Sequence, residues 1–315
     1  MKMIEASYPL SPLQQSMLFH SLYEQKSGIY IKLICSLHED LNVLAFVQSW
    51  QRVTERHSIL RTSFHREDTN QFMQAVHPQI KLPLEQQNWC GLSDSEQDNR
   101  LQAYLESDEE RGFDLQVAPL MRLALFQMAE ADYKLIWTLH HALLDRQSVV
   151  LLLKEVFAFY EAFCQGQNLQ LEAPRPYRDY IDWLQQKSRS QAEEFWREQL
   201  RGFWTPTQIP VAKRYGTGET SLEQQAASYA VQEVRLSSAS TAALQSLAQT
   251  HDLTLNTIVQ GAWALLLSRY STCEDVVFGA TRACRHGLNN IESMVGLFIN
   301  KIGRASCRER VSGGV

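Results

Sequence analysis

Apolar residues near the start recur at helical spacing, with Leu13, Met17 and Leu22 following Ser11-Pro12-Leu13-Gln14. Ser11 suits an N-cap, Pro12 suits the first helical position, and Gln14 can reach back to the cap amide. The period then drops to two. In GIYIKLICSL, residues 28–37, the residues Ile29, Ile31, Leu33, Cys35 and Leu37 share one face, as in a strand. LNVLAFVQSWQRVTERHS reads as an amphipathic helix, and ILRTSFHRE with QFMQAVHP reads as a strand pair around a polar turn. Residues 93–112 predict a polar, solvated helix. LMRLALFQM and DYKLIWTLHH predict a hairpin, and SVVLLLKEVFAFYEAF predicts a largely buried helix.

Periodicity breaks across CQGQNLQLEAPRPYRDY, which holds Pro174 and Pro176 and marks a domain boundary. Helices follow at 177–187 and 190–202, then a long irregular loop at 205–221. A strand is expected at 227–236, a helix at 238–252, a buried helix at 254–271 and a strand at 275–283. Both halves mix sheet and helix, an α+β pattern, divided as residues 1–172 and 173–301. Residues 302–315 lose the apolar periodicity, turn Arg-rich and are expected to be a non-native or disordered tail.

Composition narrows the function. The 315 residues carry a net charge of −5 and no basic block, which disfavours nucleic-acid binding. No apolar run approaches the ~20 residues of a membrane helix, and no signal-peptide core opens the chain, so a cytoplasmic protein is expected. The six cysteines, at 35, 90, 164, 273, 284 and 307, are scattered without C-x-x-C spacing, as in reduced structural thiols. Neither a P-loop nor a G-x-G-x-x-G stretch is present.

The chemistry concentrates at the end of an apolar run, in LHHALLDRQS. Adjacent strand residues point to opposite faces, which argues against His140 and His141 converging on one metal. Two readings stay open. Both imidazoles are satisfied core residues, with Asp145 only capping the next helix. Or one imidazole does acid/base work from the strand end, with a carboxylate one turn on holding the loop in shape.

HHALLDRQS resembles the HHxxxDG signature of condensation domains of nonribosomal peptide synthetases, a branch of the chloramphenicol acetyltransferase-like acyltransferases. Four further stretches resemble family motifs in the right order: LSPLQQSMLFHSL at 10–22, RHSILRTSF at 56–64, YRDYIDW at 177–183 and MVGLFIN at 294–300. The resemblance implies two acyltransferase-like lobes in a V, the second incomplete here, with a tunnel between them. It implies amide formation between a donor thioester and an acceptor amine. Both are presented on phosphopantetheine by peptidyl carrier domains, beside an adenylation domain, with no cofactor or metal bound directly. His141 then positions or deprotonates the amine, and His140 is structural. Asp145 is expected to pair with Arg61. Tyr177, Asp179 and Trp183 are packing residues, and Arg56 and His57 form a solvated helix end. Arg146, Ser148, Gly296 and Asn300 are candidates for the substrate channel. Arg146 stands where the motif has glycine. That departure leaves open a non-catalytic carrier-docking module with a degenerate site; ester-forming and epimerising variants of the fold are further alternatives. Family members continue beyond the GLFIN stretch, so the chain alone is expected to be inactive and to expose apolar surface in its second half.

Overall fold

The computed structural model describes residues 4–23, 30–66, 71–209, 232–285, 287–302 and 305–306. The chain divides into two compact units: residues 1–188 with 281–300, and residues 189–280 with 301–315. In the first unit the elements run β1 (Ala6–Pro9), α1 (Pro12–Tyr23), β2 (Tyr30–Leu37), α2 (Val43–Arg56), β3 (Thr62–Arg66), β4 (Phe72–Val76), β5 (Leu84–Asn88), α3 (Asp94–Arg111), β6 (Met121–Ala129), β7 (Asp132–His140), α4 (Arg146–Cys164) and α5 (Tyr177–Gln185). The division falls later than the polar break at 164–176, because α5 buries Tyr177, Tyr180 and Ile181 in the first unit's core.

A four-stranded sheet in the order β2-β7-β6-β5 is the frame of this unit, beside a three-stranded sheet β1-β4-β3. The β6–β7 hairpin and the β3–β4 pair form as the alternation predicts. β5 adds a parallel edge that its polar sequence does not announce. On β7 the two faces separate cleanly. Tyr133, Leu135, Trp137 and Leu139 enter the main core, where Trp137 meets Trp50 of α2 edge-on at 4.8 Å. Ile136 turns the other way, onto Phe126, Trp89 and the apolar residues of α3. The fully buried Phe46, Trp50, Leu152 and Val156 bring α2 and α4 onto the sheet. Each such side chain contributes roughly 1.5–3 kcal/mol relative to exposure.

α3 is less solvated than its composition suggests. Its Asp108 is wholly buried. The carboxylate accepts from Arg122 Nε and from Thr138 Oγ1 at 2.9 Å, with Lys32 Nζ 3.6 Å away. Arg122 also lies 4.3 Å over the Phe113 ring. A buried charge needs partners of this kind, and they fasten α3 to the sheet face opposite the main core.

The second unit holds α6 (Arg189–Gln199), α7 (Ser238–Thr250), α8 (Leu255–Ser271) and β8 (Asp275–Val276). Two further strands, β9 (Ala280–Ala283) and β10 (Ile299–Ile302), pair with each other. β11 (Ala305–Ser306), within the segment assigned from sequence to the tail, pairs antiparallel with β8. Residues 307–315 lie outside the described residues. Of the strand expected at 227–236, residues 232–236 are irregular and the rest lie outside the description. The strand expected at 275–283 is two short strands. α8, expected to be buried, buries only Ala264 and Leu267, while Val259, Trp263, Leu265, Leu266 and Tyr270 are exposed. Apolar composition all round a helix does not supply the neighbour that would cover it. No described helix is long and apolar enough to cross a membrane.

Candidate active site

His140 is the last residue of β7, paired in register with Tyr30. It lies two residues from Thr138, on the face turned away from the main core. Both ring nitrogens are engaged. Nδ1 accepts from the Ala142 amide at 3.2 Å, so the proton sits on Nε2, which reaches Ser21 Oγ at 3.2 Å. Ser21 Oγ donates in turn to the Met17 carbonyl at 3.0 Å. The ring is 1% exposed and meets Tyr30 edge-on. This is a satisfied, neutral, structural histidine. Burial first, and the neighbouring His141 second, push its imidazole down from 6.5 to about 4.

That depression makes a pH prediction. Between pH 4 and 6.5 the unfolded chain binds a proton at this site that the folded chain refuses. The stabilisation is complete above about pH 6.5 and is lost as pH falls through the window, for a total of roughly 3 kcal/mol. Urea unfolding from pH 7.5 to 4 is expected to show this slope, and His140→Asn is expected to flatten it. Equal slopes in both proteins would refute the assignment.

His141 leaves the strand and is half-buried in the turn before α4. Its Nδ1 lies 3.1 Å from the Leu144 carbonyl. A carbonyl only accepts, so Nδ1 carries a proton, and in the neutral ring Nε2 keeps its lone pair. As neutral rings the two adjacent imidazoles thus hold opposite tautomers: His140 with both nitrogens bonded, His141 with its proton on the nitrogen facing the Leu144 carbonyl.

Asp145 fixes the turn. As N-cap of α4 it accepts from Ser148 N at 2.8 Å, and it also accepts from Phe298 N at 3.3 Å. Its cationic partner is not Arg61. Arg285 Nη2 lies 2.9 and 3.1 Å from the two carboxylate oxygens, and both residues are buried. Arg61 instead donates to Glu5 Oε2 at 2.7 Å and to the His77 carbonyl. It ends a 3-10 turn, Ser58–Arg61, whose exit runs along β4, and both of those bonds leave from its Nη1. Sequence reading missed Arg285. The only signal is an arginine lying between an apolar strand and the GLFIN stretch.

Ser148 and Gly296 are not free to line a channel. Ser148 Oγ donates to the Gly296 carbonyl at 2.8 Å and accepts from Arg285 Nη2 at 2.7 Å and Gly296 N at 3.0 Å, wholly buried. Gly296 is glycine because of Tyr177: a Cβ there would stand 2.1 Å from the ring's Cδ2. The close approach is by a protein side chain, not by substrate. Tyr177 in turn donates its hydroxyl to the Leu297 carbonyl at 2.7 Å. Burial, and then Tyr180, push its phenol well above its ordinary value, so it remains a donor.

Arg146 is exposed at the first turn of α4 with helical backbone. Its φ is not left-handed, so a side chain in place of the motif glycine strains nothing. Asn300 lies in β10, with its side chain outside the description. Arg56 and His57 are not a solvated helix end. Both bond Glu155 Oε2, at 3.1 and 2.9 Å, and tie α2 to α4. Burial raises the Glu155 carboxyl, yet the bonds from His57 and Arg56 hold it below its ordinary value.

A histidine-bearing strand end clamped to a distant GLFIN loop by a buried Asp–Arg pair fits the motif order read from the sequence. A family model described as the condensation domain matches residues 4–306. The chain belongs to the condensation domain family. This condensation domain chain is 46% identical over 300 residues to one of the linear gramicidin synthase proteins of Brevibacillus parabrevis, covering 95% of this chain and 4% of that synthase. It is 34% identical over 305 residues to bacitracin synthase 1 of Bacillus licheniformis, covering 95% of this chain and 6% of that protein. Among solved structures, the first condensation domain of the CDA synthetase has the same mixed α/β fold. Its TM-score is 0.75 at 15% identity, over 97% of this chain and 72% of that chain.

Proposed function

We propose that this chain is the amide-forming condensation unit of a nonribosomal peptide synthetase. The observation that carries the reading is His141, whose Nε2 keeps an available lone pair in a turn fixed by the Asp145–Arg285 bracket. In the reaction, Nε2 orients the acceptor amine or takes its proton. The amine nitrogen bonds to the donor thioester carbonyl carbon, the C–S bond breaks, and the amine's proton ends on the departing sulfur, so the donor phosphopantetheine leaves as a thiol. Product stays on the acceptor arm. The partners are donor and acceptor peptidyl carrier domains, with an adenylation domain alongside. Phosphopantetheine belongs to the carriers and needs no cofactor pocket here.

The isolated 315-residue chain is proposed to be inactive. It spans 72% of the solved CDA condensation domain chain, and α8 leaves a run of apolar side chains exposed. The test supplies donor-loaded and amine-loaded carriers to the parent synthetase and to the isolated chain, with mass detection of each arm. Amide on the acceptor arm from the parent alone is expected. Carrier binding without product would favour a docking module, and transfer only to a hydroxyl acceptor would favour ester formation. Efficient transfer by the isolated chain would overturn the inactivity.

A further inference from the structure

We infer that Gln14 is a positioning residue for His141, fixing the turn that carries it. The inference rests on the condensation reading. Gln14 is wholly buried at the start of α1, and its carboxamide is saturated. Oε1 accepts from Ser11 N at 2.9 Å, which with Ser11 Oγ accepting from Gln14 N completes a capping box. Oε1 also accepts from Gln74 Nε2 at 3.1 Å, while Gln14 Nε2 donates to Gln74 Oε1 at 3.2 Å. The fourth bond leaves the helix start altogether: Nε2 donates to the Ala142 carbonyl at 2.9 Å. All four hydrogen-bonding positions of the amide are thus used.

Ala142 is the residue after His141. Its amide is held by His140 Nδ1 and its carbonyl by Gln14, so the backbone behind His141 is gripped on both sides of Ala142. Two residues on, the Leu144 carbonyl meets the His141 ring, and the Asp145 amide bonds the Gly296 carbonyl. Capping alone does not require glutamine, because a glutamate serves the same box. Only the carboxamide offers the NH2 that the Ala142 carbonyl and Gln74 accept. The choice of amide over acid at position 14 therefore points to the turn, not to the helix.

The test is Gln14→Glu, which keeps the cap and loses both NH2 donors, with Gln14→Met as a second variant of similar size. In the parent synthetase, with acceptor carrier supplied separately, kcat is expected to fall by about 10²-fold with KM nearly unchanged, as for a displaced reacting group. In the full 315-residue chain, 15N spectra are expected to show His141 losing its single Nδ1–H tautomer. Asn42→Ala removes the cap of α2, a stability loss away from the turn, and is expected to change neither readout. Wild-type kcat in both Gln14 variants, or an unchanged His141 tautomer, would overturn the inference. So would an Asn42→Ala variant that lost kcat in step with melting temperature. A His141→Ala variant that retained full product would instead overturn the condensation reading, and the 15N arm would still decide the positioning claim.

Discussion

Arg285→Met lowers the stability of the chain by about 3–5 kcal/mol, because it leaves the Asp145 carboxylate buried without its cation. Asp145 is 2% exposed and Arg285 is 8% exposed, so water cannot replace the missing partner. The loss extends past one ion pair. Arg285 Nη1 also donates to the Ile291 and Met294 carbonyls at 3.0 and 2.8 Å, and its guanidinium lies 4.1 Å over Phe298. Those bonds shape the segment that delivers Gly296 to Ser148 and Asp145. Chemical denaturation of Arg285→Met, Asp145→Asn and the double variant measures the coupling. The cycle is expected to give roughly 2–3 kcal/mol. The same cycle between Asp145 and Arg61 is expected to give nearly zero, since those two share no described partner. A large Asp145–Arg61 coupling would return the cation to the arginine that the sequence resemblance suggested.

That misassignment marks where sequence reading stops. The α1 start was legible because a capping box is local: Ser11 and Gln14 are three residues apart and find each other whatever the rest of the chain does. The β6–β7 hairpin was legible for the same reason, from a period of two on each side of a short turn. The division between His140 and His141 into a structural and a working residue followed from family likeness alone; the structure shows how each ring is bonded. Partner choice over long separations left no local trace. Asp145 and Arg285 are 140 positions apart, Gln14 and Ala142 are 128 apart, and nothing in either neighbourhood names the other. Polar character also misled. β5 is an edge strand with Glu85, Gln86 and Gln87 in it, and Asp108 sits wholly buried in a helix that composition assigns to solvent. At Gly296 the sequence suggested a place on the substrate channel, and the group that packs against it, Tyr177, came only from the packing.

His141→Ala separates the chemistry from the scaffold. Removing the imidazole takes away the Nε2 lone pair and one bond to the Leu144 carbonyl, while the Asp145–Arg285 bracket and the His140 contacts remain. The fold should therefore survive, and carrier binding with it. A positioned base is worth about 10²–10⁴-fold in rate, and in the proposed reaction orientation of two tethered substrates would account for what persists. His140→Ala is the contrasting variant: it empties a buried, fully bonded site, and its losses should follow stability. The decisive measurement is the single-turnover rate of amide formation between pre-loaded carriers in the parent synthetase, wild type against His141→Ala, with carrier affinity measured in parallel. A fall of about 10²–10⁴-fold at unchanged affinity is the predicted result. An unchanged rate at unchanged affinity would contradict the account and leave the chain a docking module.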